Sequence, residues 1–380
     1  MGYLDERSMI RSFRAQHFKS LEDLEVELGR VTVLIGENGC GKSNILESIA
    51  FAAAAEAGKA EHEFLASRGV RMTDPRMMVS AYRAEQPGGF EIIVPTKRGL
   101  PSSVSFVLND SLKGFAVSTS YSLKGDAELE QLVERLRDKT ENAVAIHREL
   151  EAKLRESVEP LPDFIIFSPE NSALRTFQAE GQILPLGVRG EGLFALLKWM
   201  TKSDEGRRSI AAISEQLTLL DWFQSFEVPA GLAPGERTLN IVDRFLADGS
   251  SFDQRSANEG FLFLLFYFAL ILAPGTPRFF AIDNVDASLN PHLCEELIRR
   301  LVSLAKQQDK QVILTTHNPS VLDGLDLSDD EVRLLVVHRN RSGHTRVRRV
   351  DAPKHIEGVA PVRLSEAFLR GYLGGLPKNF

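Results

Sequence analysis

The chain has 380 residues, a net charge of −7, and hydrophobic and aromatic shares of 43% and 8%. That length predicts roughly two or three domains, and the apolar share suits a sizeable core. The acidic balance excludes a global basic footprint of the kind that marks nucleic-acid binding, while leaving room for a local patch.

Two cysteines, Cys40 and Cys294, lie far apart in sequence. No disulfide framework is expected, and a reducing cytoplasm is the expected setting. No N-terminal apolar run reads as a signal peptide. The longest apolar run, residues 261–273, is too short to span a bilayer and predicts a buried helix.

Residues 9–28 alternate apolar and polar side chains in two pieces, 10–15 and 24–28. Alternation predicts an antiparallel strand pair leading into the next strand. That strand is the apolar run Val31-Thr32-Val33-Leu34-Ile35. It feeds Gly36-Glu37-Asn38-Gly39-Cys40-Gly41-Lys42-Ser43, and a helical pattern over 44–55 follows, with Ile45, Leu46, Ile49 and Phe51 apolar. This is strand, glycine-rich loop and helix with the spacing G-x-x-x-x-G-K-S. Glycines let the loop N–H groups turn inward around anionic oxygens, and the helix N-terminus adds partial positive charge. Lys42 is expected on the β/γ-phosphates and the Ser43 hydroxyl on Mg²⁺.

Residues 56–100 predict strands and loops, with 77–82 and 90–94 as strands. Over 126–157 the spacing turns helical among many charges, Leu129, Leu132, Val133 and Leu136 first, then Val144, Ile146, Leu150 and Leu154. This insertion is either a solvated helical lid or a partner-binding or DNA-gripping element. A strand is expected at 164–167, followed by Ser168-Pro169-Glu170-Asn171, a good helix start. Helices over 191–200 and 208–219 and a strand at 238–242 come next.

Arg278-Phe279-Phe280-Ala281-Ile282-Asp283 is an apolar strand ending in a carboxylate. It predicts Asp283 at the strand tip beside the phosphate loop, placed to hold the magnesium shell. A helix over 293–306 and a strand over 311–316 complete a parallel βαβ spacing that ends at His317.

The runs Phe18-Lys19-Ser20-Leu21, Val33-Leu34-Ile35-Gly36-Glu37-Asn38-Gly39 and Gly41-Lys42-Ser43-Asn44-Ile45-Leu46-Glu47-Ser48-Ile49 resemble the head of ABC-type ATPases of the RecF/SMC kind. The chain is more closely similar to the compact AAA-type ATPases that prokaryotes encode in defence islands, to which the tail from Leu364 to Pro377 also bears a likeness. The resemblance implies an α/β P-loop NTPase, an ABC-type head with a mixed core sheet, an antiparallel β lobe and an inserted helical subdomain. It divides the chain into 1–100 (phosphate loop and β lobe), 101–160 (helical insertion), 161–250 (helical linking lobe) and 251–380 (signature, Walker B strand and switch histidine).

The resemblance also assigns residues. Gly36, Glu37, Asn38, Gly39, Cys40, Gly41, Lys42, Ser43 and Asn44 are implied to bind the nucleotide, and Ser43 and Asp283 the magnesium. The loop after strand 164–167, with Arg175, is implied to lie near the nucleotide. His317 is implied to contact the γ-phosphate. ABC-type ATPases usually carry Glu after the strand Asp, where this chain has Asn284. An amide orients a water but cannot take its proton. Asp286 is then either the substitute base or part of the turn Ala287-Ser288-Leu289-Asn290, which resembles a D-loop. Ser256-Ala257-Asn258-Glu259-Gly260 falls where the signature binds the γ-phosphate held by another subunit, with Asn258 where a Ser is common. An ordinary helix cap is the alternative for that stretch.

The implied cofactors are ATP and Mg²⁺. The implied partners are a second copy or a higher homo-oligomer and a separate effector such as a nuclease, with DNA left open and no membrane. The function so implied is an ATP-driven switch in antiviral defence or DNA surveillance. A nearly non-hydrolysing scaffold and a RecF-like repair clamp are the alternatives. A fused nuclease is disfavoured by the short stretch, about 60 residues, after His317. Kinase and GTPase readings lack their motifs.

Overall fold

The structure is a computed structural model that describes residues 9–82, 88–95, 101–108, 114–122, 126–137, 143–179, 183–352 and 362–374. Its centre is a six-stranded sheet in the order β13-β12-β3-β11-β10-β7. The strands are β3 (Val31–Ile35), β7 (Ile165–Phe167), β10 (Phe279–Ile282), β11 (Gln311–Thr316), β12 (Val332–Arg339) and β13 (Thr345–Val350). All are parallel except β13, which pairs antiparallel with β12. A second, antiparallel sheet has the order β2-β1-β4-β5-β6, from β1 (Ser12–Phe18), β2 (Leu21–Glu27), β4 (Gly89–Pro95), β5 (Pro101–Leu108) and β6 (Phe115–Tyr121).

Helix α1 (Lys42–Glu56) lies between the two sheets. Its apolar side chains are buried on every side, as expected of a helix without a polar face. Phe51 sits edge-on to Phe18, Phe90 and Phe106 of the antiparallel sheet, with ring centroids 5.3–5.4 Å away. On the parallel sheet, alternation sorts the residues. Val31, Val33 and Ile35 of β3 face one core, whereas Leu34 faces α1.

That first core is built on α8 (Glu259–Leu272), whose residues from Phe261 to Leu272 are all buried. The 13-residue apolar run is therefore the central helix of the second layer. Helices α6 (Leu193–Met200), α7 (Asp204–Leu217) and α9 (Pro291–Gln307) close around it. Among the described residues, no helix is long and apolar enough to cross a membrane.

Two expectations are corrected here. Residues 101–121, expected as part of a helical insertion over 101–160, hold β5 and β6. Val104 and Phe106 point inward while their neighbours are polar or exposed, the two-residue period of a strand. The helical part consists of α3 (Ala127–Arg137) and α4 (Ala143–Val158), which bury Leu129, Leu132 and Ile146 against one another. The strand expected at 77–82 is a single bridge from Val79 to Phe18, because Asp74 and Pro75 open a short 3₁₀ turn at Pro75–Met77 instead. Of the tail, α10 (Leu364–Leu369) is described, and residues 375–377 lie outside the described residues.

The C-terminal end of α8 is capped from the neighbouring layer. The Lys310 ammonium, just before β11, donates to the Leu270 carbonyl at 2.7 Å and to the Thr276 hydroxyl. No carboxylate pairs with it among the described residues, and burial pushes its pKa down to about 7 from 10.5. Between those values the unfolded chain holds a proton that the folded chain does not. Stability therefore rises with pH across that window and is flat below it on this account. Urea midpoints at pH 7 and pH 9 are expected to show this rise in the native protein and to lose part of it in Lys310→Met.

Candidate nucleotide-binding site

The phosphate loop runs from the end of β3 to Gly41, the cap of α1. Gly41 has φ 112°, and a side chain there would lie 2.1 Å from the Thr345 hydroxyl. Gly36 has a different reason, since a Cβ would fall 2.2 Å from the Val337 carbonyl on β12. No larger residue fits either position without moving the sheet.

Lys42 folds back over the loop. Its ammonium donates to the carbonyls of Gly36 at 2.8 Å and Glu37 at 3.1 Å, and lies 3.4 Å from His317 Nδ1. Burial lowers the Lys42 pKa. The His317 pKa is lowered too, first by loss of solvent around the ring nitrogens and then by the Lys42 charge, although the residue as a whole is exposed.

Asp283 ends β10, and its carboxylate accepts a 2.5 Å hydrogen bond from the Thr315 hydroxyl of β11. The same Thr315 oxygen accepts the Asn284 N–H at 2.9 Å. Asn284 is exposed at φ 57°, a left-handed conformation that Asn tolerates better than most residues. Asp286 accepts from the Thr316 hydroxyl at 2.6 Å, and that oxygen in turn accepts the Asn318 N–H. The carboxylate of Asp286 is thus tied to the strand end that carries His317.

An open cleft of about 350 Å³ gathers Asn38, Gly39, Gly41, Lys42, Ser43, Asn44, Asp283, Asn284 and His317. Gly36, Glu37 and Cys40 belong to the loop but do not line the cleft, and neither does Asp286. A larger cavity of about 510 Å³, between the far end of α1 and β6, holds none of the predicted residues and has mostly apolar walls.

The residues expected to form the signature do not line this cleft. The Asn258 side-chain oxygen caps α8 by accepting the Phe261 N–H at 2.8 Å. Its oxygen therefore serves the helix. Ser256, Asn258 and Glu259 are exposed, and Gly260 follows them in the first turn. Glu259 accepts from Asn171 at 2.6 Å and from Ser288 at 2.8 Å. Arg175 donates to the carbonyls of Arg255 and Ala257, so it braces this segment and does not line the cleft.

Two arginines of the cleft escaped the sequence reading. Arg71 is held by the buried Glu47 of α1, which also binds Lys19. Arg339 ends β12 on another wall. Neither stands in a motif, and only the fold brings them to Lys42. Thr315 and Thr316 were legible as neighbours of His317, but their bonds to the two aspartates were not.

Residues 195–323 match the family described as an AAA domain, putative AbiEii toxin, Type IV TA system, and residues 12–76 match a second AAA-domain family. No curated protein matches the sequence. Among solved structures, an SMC head bound to the C-winged helix domain of ScpA matches 90% of this chain and 98% of its own, with TM-score 0.54 and 15% identity. An SMC head domain with an extended coiled coil, bound to the C-terminal domain of ScpA derived from Pyrococcus furiosus, matches 90% of this chain and 96% of its own, with TM-score 0.51 and 14% identity. The chain has the fold of SMC head domains.

In this head the Lys42–His317 contact has a measurable consequence. His317 is expected to titrate below the ordinary imidazole value, and Lys42→Ala, by removing the cation, is expected to bring its pKa part of the way back. Imidazole proton shifts followed by NMR across pH 4–8 read both.

Proposed function

We propose that the protein binds ATP with Mg²⁺ and acts as a nucleotide-driven switch whose closed form is a head-to-head dimer. The observation that carries this reading is the convergence of Lys42, Ser43, Asp283 and His317 on one cleft, from both ends of the chain. Loop N–H groups and the α1 N-terminus hold the phosphates, and Lys42 exchanges the Gly36 and Glu37 carbonyls for phosphate oxygens. Ser43 and Asp283 line the same cleft and would hold a magnesium ion, which would supply positive charge beside the phosphates. His317 contacts the γ-phosphate as a neutral imidazole, and Asn284 orients the attacking water. Asp286 is the nearby carboxylate able to take the proton, once released from Thr316.

The exposed α8 N-terminus, with Ser256, Asn258, Glu259 and Gly260, does not line the chain's own cleft and is offered to the nucleotide of a second copy. Ser288 links Glu259 to the turn after Asp283, so closure at one face is felt at the other. A separate effector protein, such as a nuclease in antiviral defence or DNA surveillance, receives the output. Support comes from the AbiEii-type family match, and from SMC heads of this fold solved with ScpA domains bound. The cytoplasm is the proposed setting.

A second reading, a scaffold that binds ATP and hardly hydrolyses it, is favoured by Asn284 at the position of the usual base and by the engagement of Asp286 with Thr316.

Steady-state phosphate release separates the two. In the switch reading the native protein exceeds Lys42→Ala, Asp283→Ala loses magnesium-dependent turnover, and Asp286→Ala falls by roughly 10²-fold or more. In the scaffold reading the native protein and Lys42→Ala release phosphate equally. Light scattering with ATP tests the dimer, and a monomer that binds ATP without associating would exclude it.

A further inference from the structure

The hairpin of β12 and β13 meets the phosphate loop at two of its carbonyls. Arg339, the last residue of β12, donates its Nε–H to the Gly39 carbonyl at 2.8 Å. Thr345, the first residue of β13, donates its hydroxyl to the Cys40 carbonyl at 2.8 Å. The two carbonyls are consecutive. In a trans peptide the C=O and the following N–H point in opposite directions. Holding Gly39 O and Cys40 O on the hairpin therefore turns the N–H groups of Cys40 and Gly41 the other way. The Cys40 N–H makes a long 3.4 Å contact to the Glu37 carbonyl.

Both anchors are themselves fixed. Thr345 is fully buried, and with its proton committed to Cys40 O it accepts from the Ser20 hydroxyl at 2.7 Å. Ser20 in turn accepts from the Asn44 amide at 2.7 Å. The donors run in one direction from Asn44 to Ser20 to Thr345 to the loop, so each hydroxyl has one allowed orientation. Arg339 is steadied by a 3.0 Å bond to the Tyr82 hydroxyl, and the Tyr82 ring lies edge-on to His344 at 4.9 Å.

We propose that Arg339 and Thr345 are positioning residues that preorganise the phosphate loop, aiming the Cys40 and Gly41 N–H groups at the phosphates before nucleotide arrives. The proposal rests on reading the cleft as a nucleotide site. It adds that the loop's geometry is set by a hairpin roughly 300 residues further along the chain. The cradle so formed serves the phosphates common to ATP and ADP, so losing an anchor weakens both alike.

The test is titration of fluorescent ATP and ADP analogues into the full chain with Mg²⁺, alongside melting curves without nucleotide. Thr345→Val keeps the shape and removes the hydroxyl. It is expected to weaken ATP and ADP equally, by about tenfold, and Thr345→Ser to restore affinity to within about twofold. Arg339→Ala is expected to weaken both by about threefold to tenfold, with partial recovery in Arg339→Lys. Unchanged affinity in a Thr345→Val protein of native melting temperature overturns the proposal, as does a loss confined to ATP. If Thr345→Val does not fold, Arg339→Ala decides, because Arg339 is exposed and outside the core. Lys42→Ala separates the two levels. Binding that survives in Lys42→Ala removes the site reading and this proposal with it, whereas binding lost there but kept in both anchor variants removes the proposal alone.

Discussion

The burial of α1 between two sheets is the constraint from which the cleft follows. Ile45, Leu46, Ile49 and Phe51 are each 1% exposed or less. Each contributes about 2 kcal/mol of burial. Because the helix is gripped along its whole length, its N-terminus cannot drift, and it projects at the C-terminal ends of β3, β10 and β11. Those strand ends carry Gly36, Asp283 and His317. The anion-attracting end of one helix and the polar tips of three strands meet because a single packed element sets their distance.

Charge in the cleft is arranged around that geometry. Lys42, Arg71 and Arg339 line it together with the carboxylate of Asp283. Each cation is held by the protein itself: Lys42 by loop carbonyls, Arg71 by Glu47, Arg339 by Gly39 and Tyr82. A polyanion arriving there meets groups already in place, so less ordering is needed at binding. Thr315 and Thr316 divide the two aspartates between them. One hydroxyl holds Asp283 and the next holds Asp286, so both carboxylates are fastened to β11.

The face carrying Ser256 to Gly260 has a different character. It is exposed, braced by Arg175 from behind and joined through Glu259 to Ser288 and Asn171. The turn from Asn284 to Ser288 begins and ends on non-glycine residues at φ 57° and 60°. Such positions store strain of about 1–3 kcal/mol each. That turn starts at the end of β10 and reaches Glu259 of α8 through Ser288, which gives the two faces one element in common.

The sequence by itself determined the local pieces. Alternation in residues 10–15, the glycine spacing from Gly36 to Lys42, the apolar run over 261–273 and the acid-tipped strand at Asp283 are short-range signals written in consecutive residues. Strand, loop and helix followed from them, as did the expectation that Asp283 lies beside the phosphate loop, while the place of His317 came from the family resemblance. What only the tertiary structure decided is what depends on side chains meeting across the fold. Residues 101–108 and 115–121 became strands because a sheet edge beside β4 was there to pair with. Asn258 committed its oxygen to a helix end, and Asp286 its carboxylate to Thr316. Arg71, Arg339 and Thr345 reached the phosphate loop from separate elements, with no motif to announce them. Periodicity and spacing record the conformation of a segment, whereas a hydrogen bond between residues 40 and 345 is fixed by packing that no local pattern encodes.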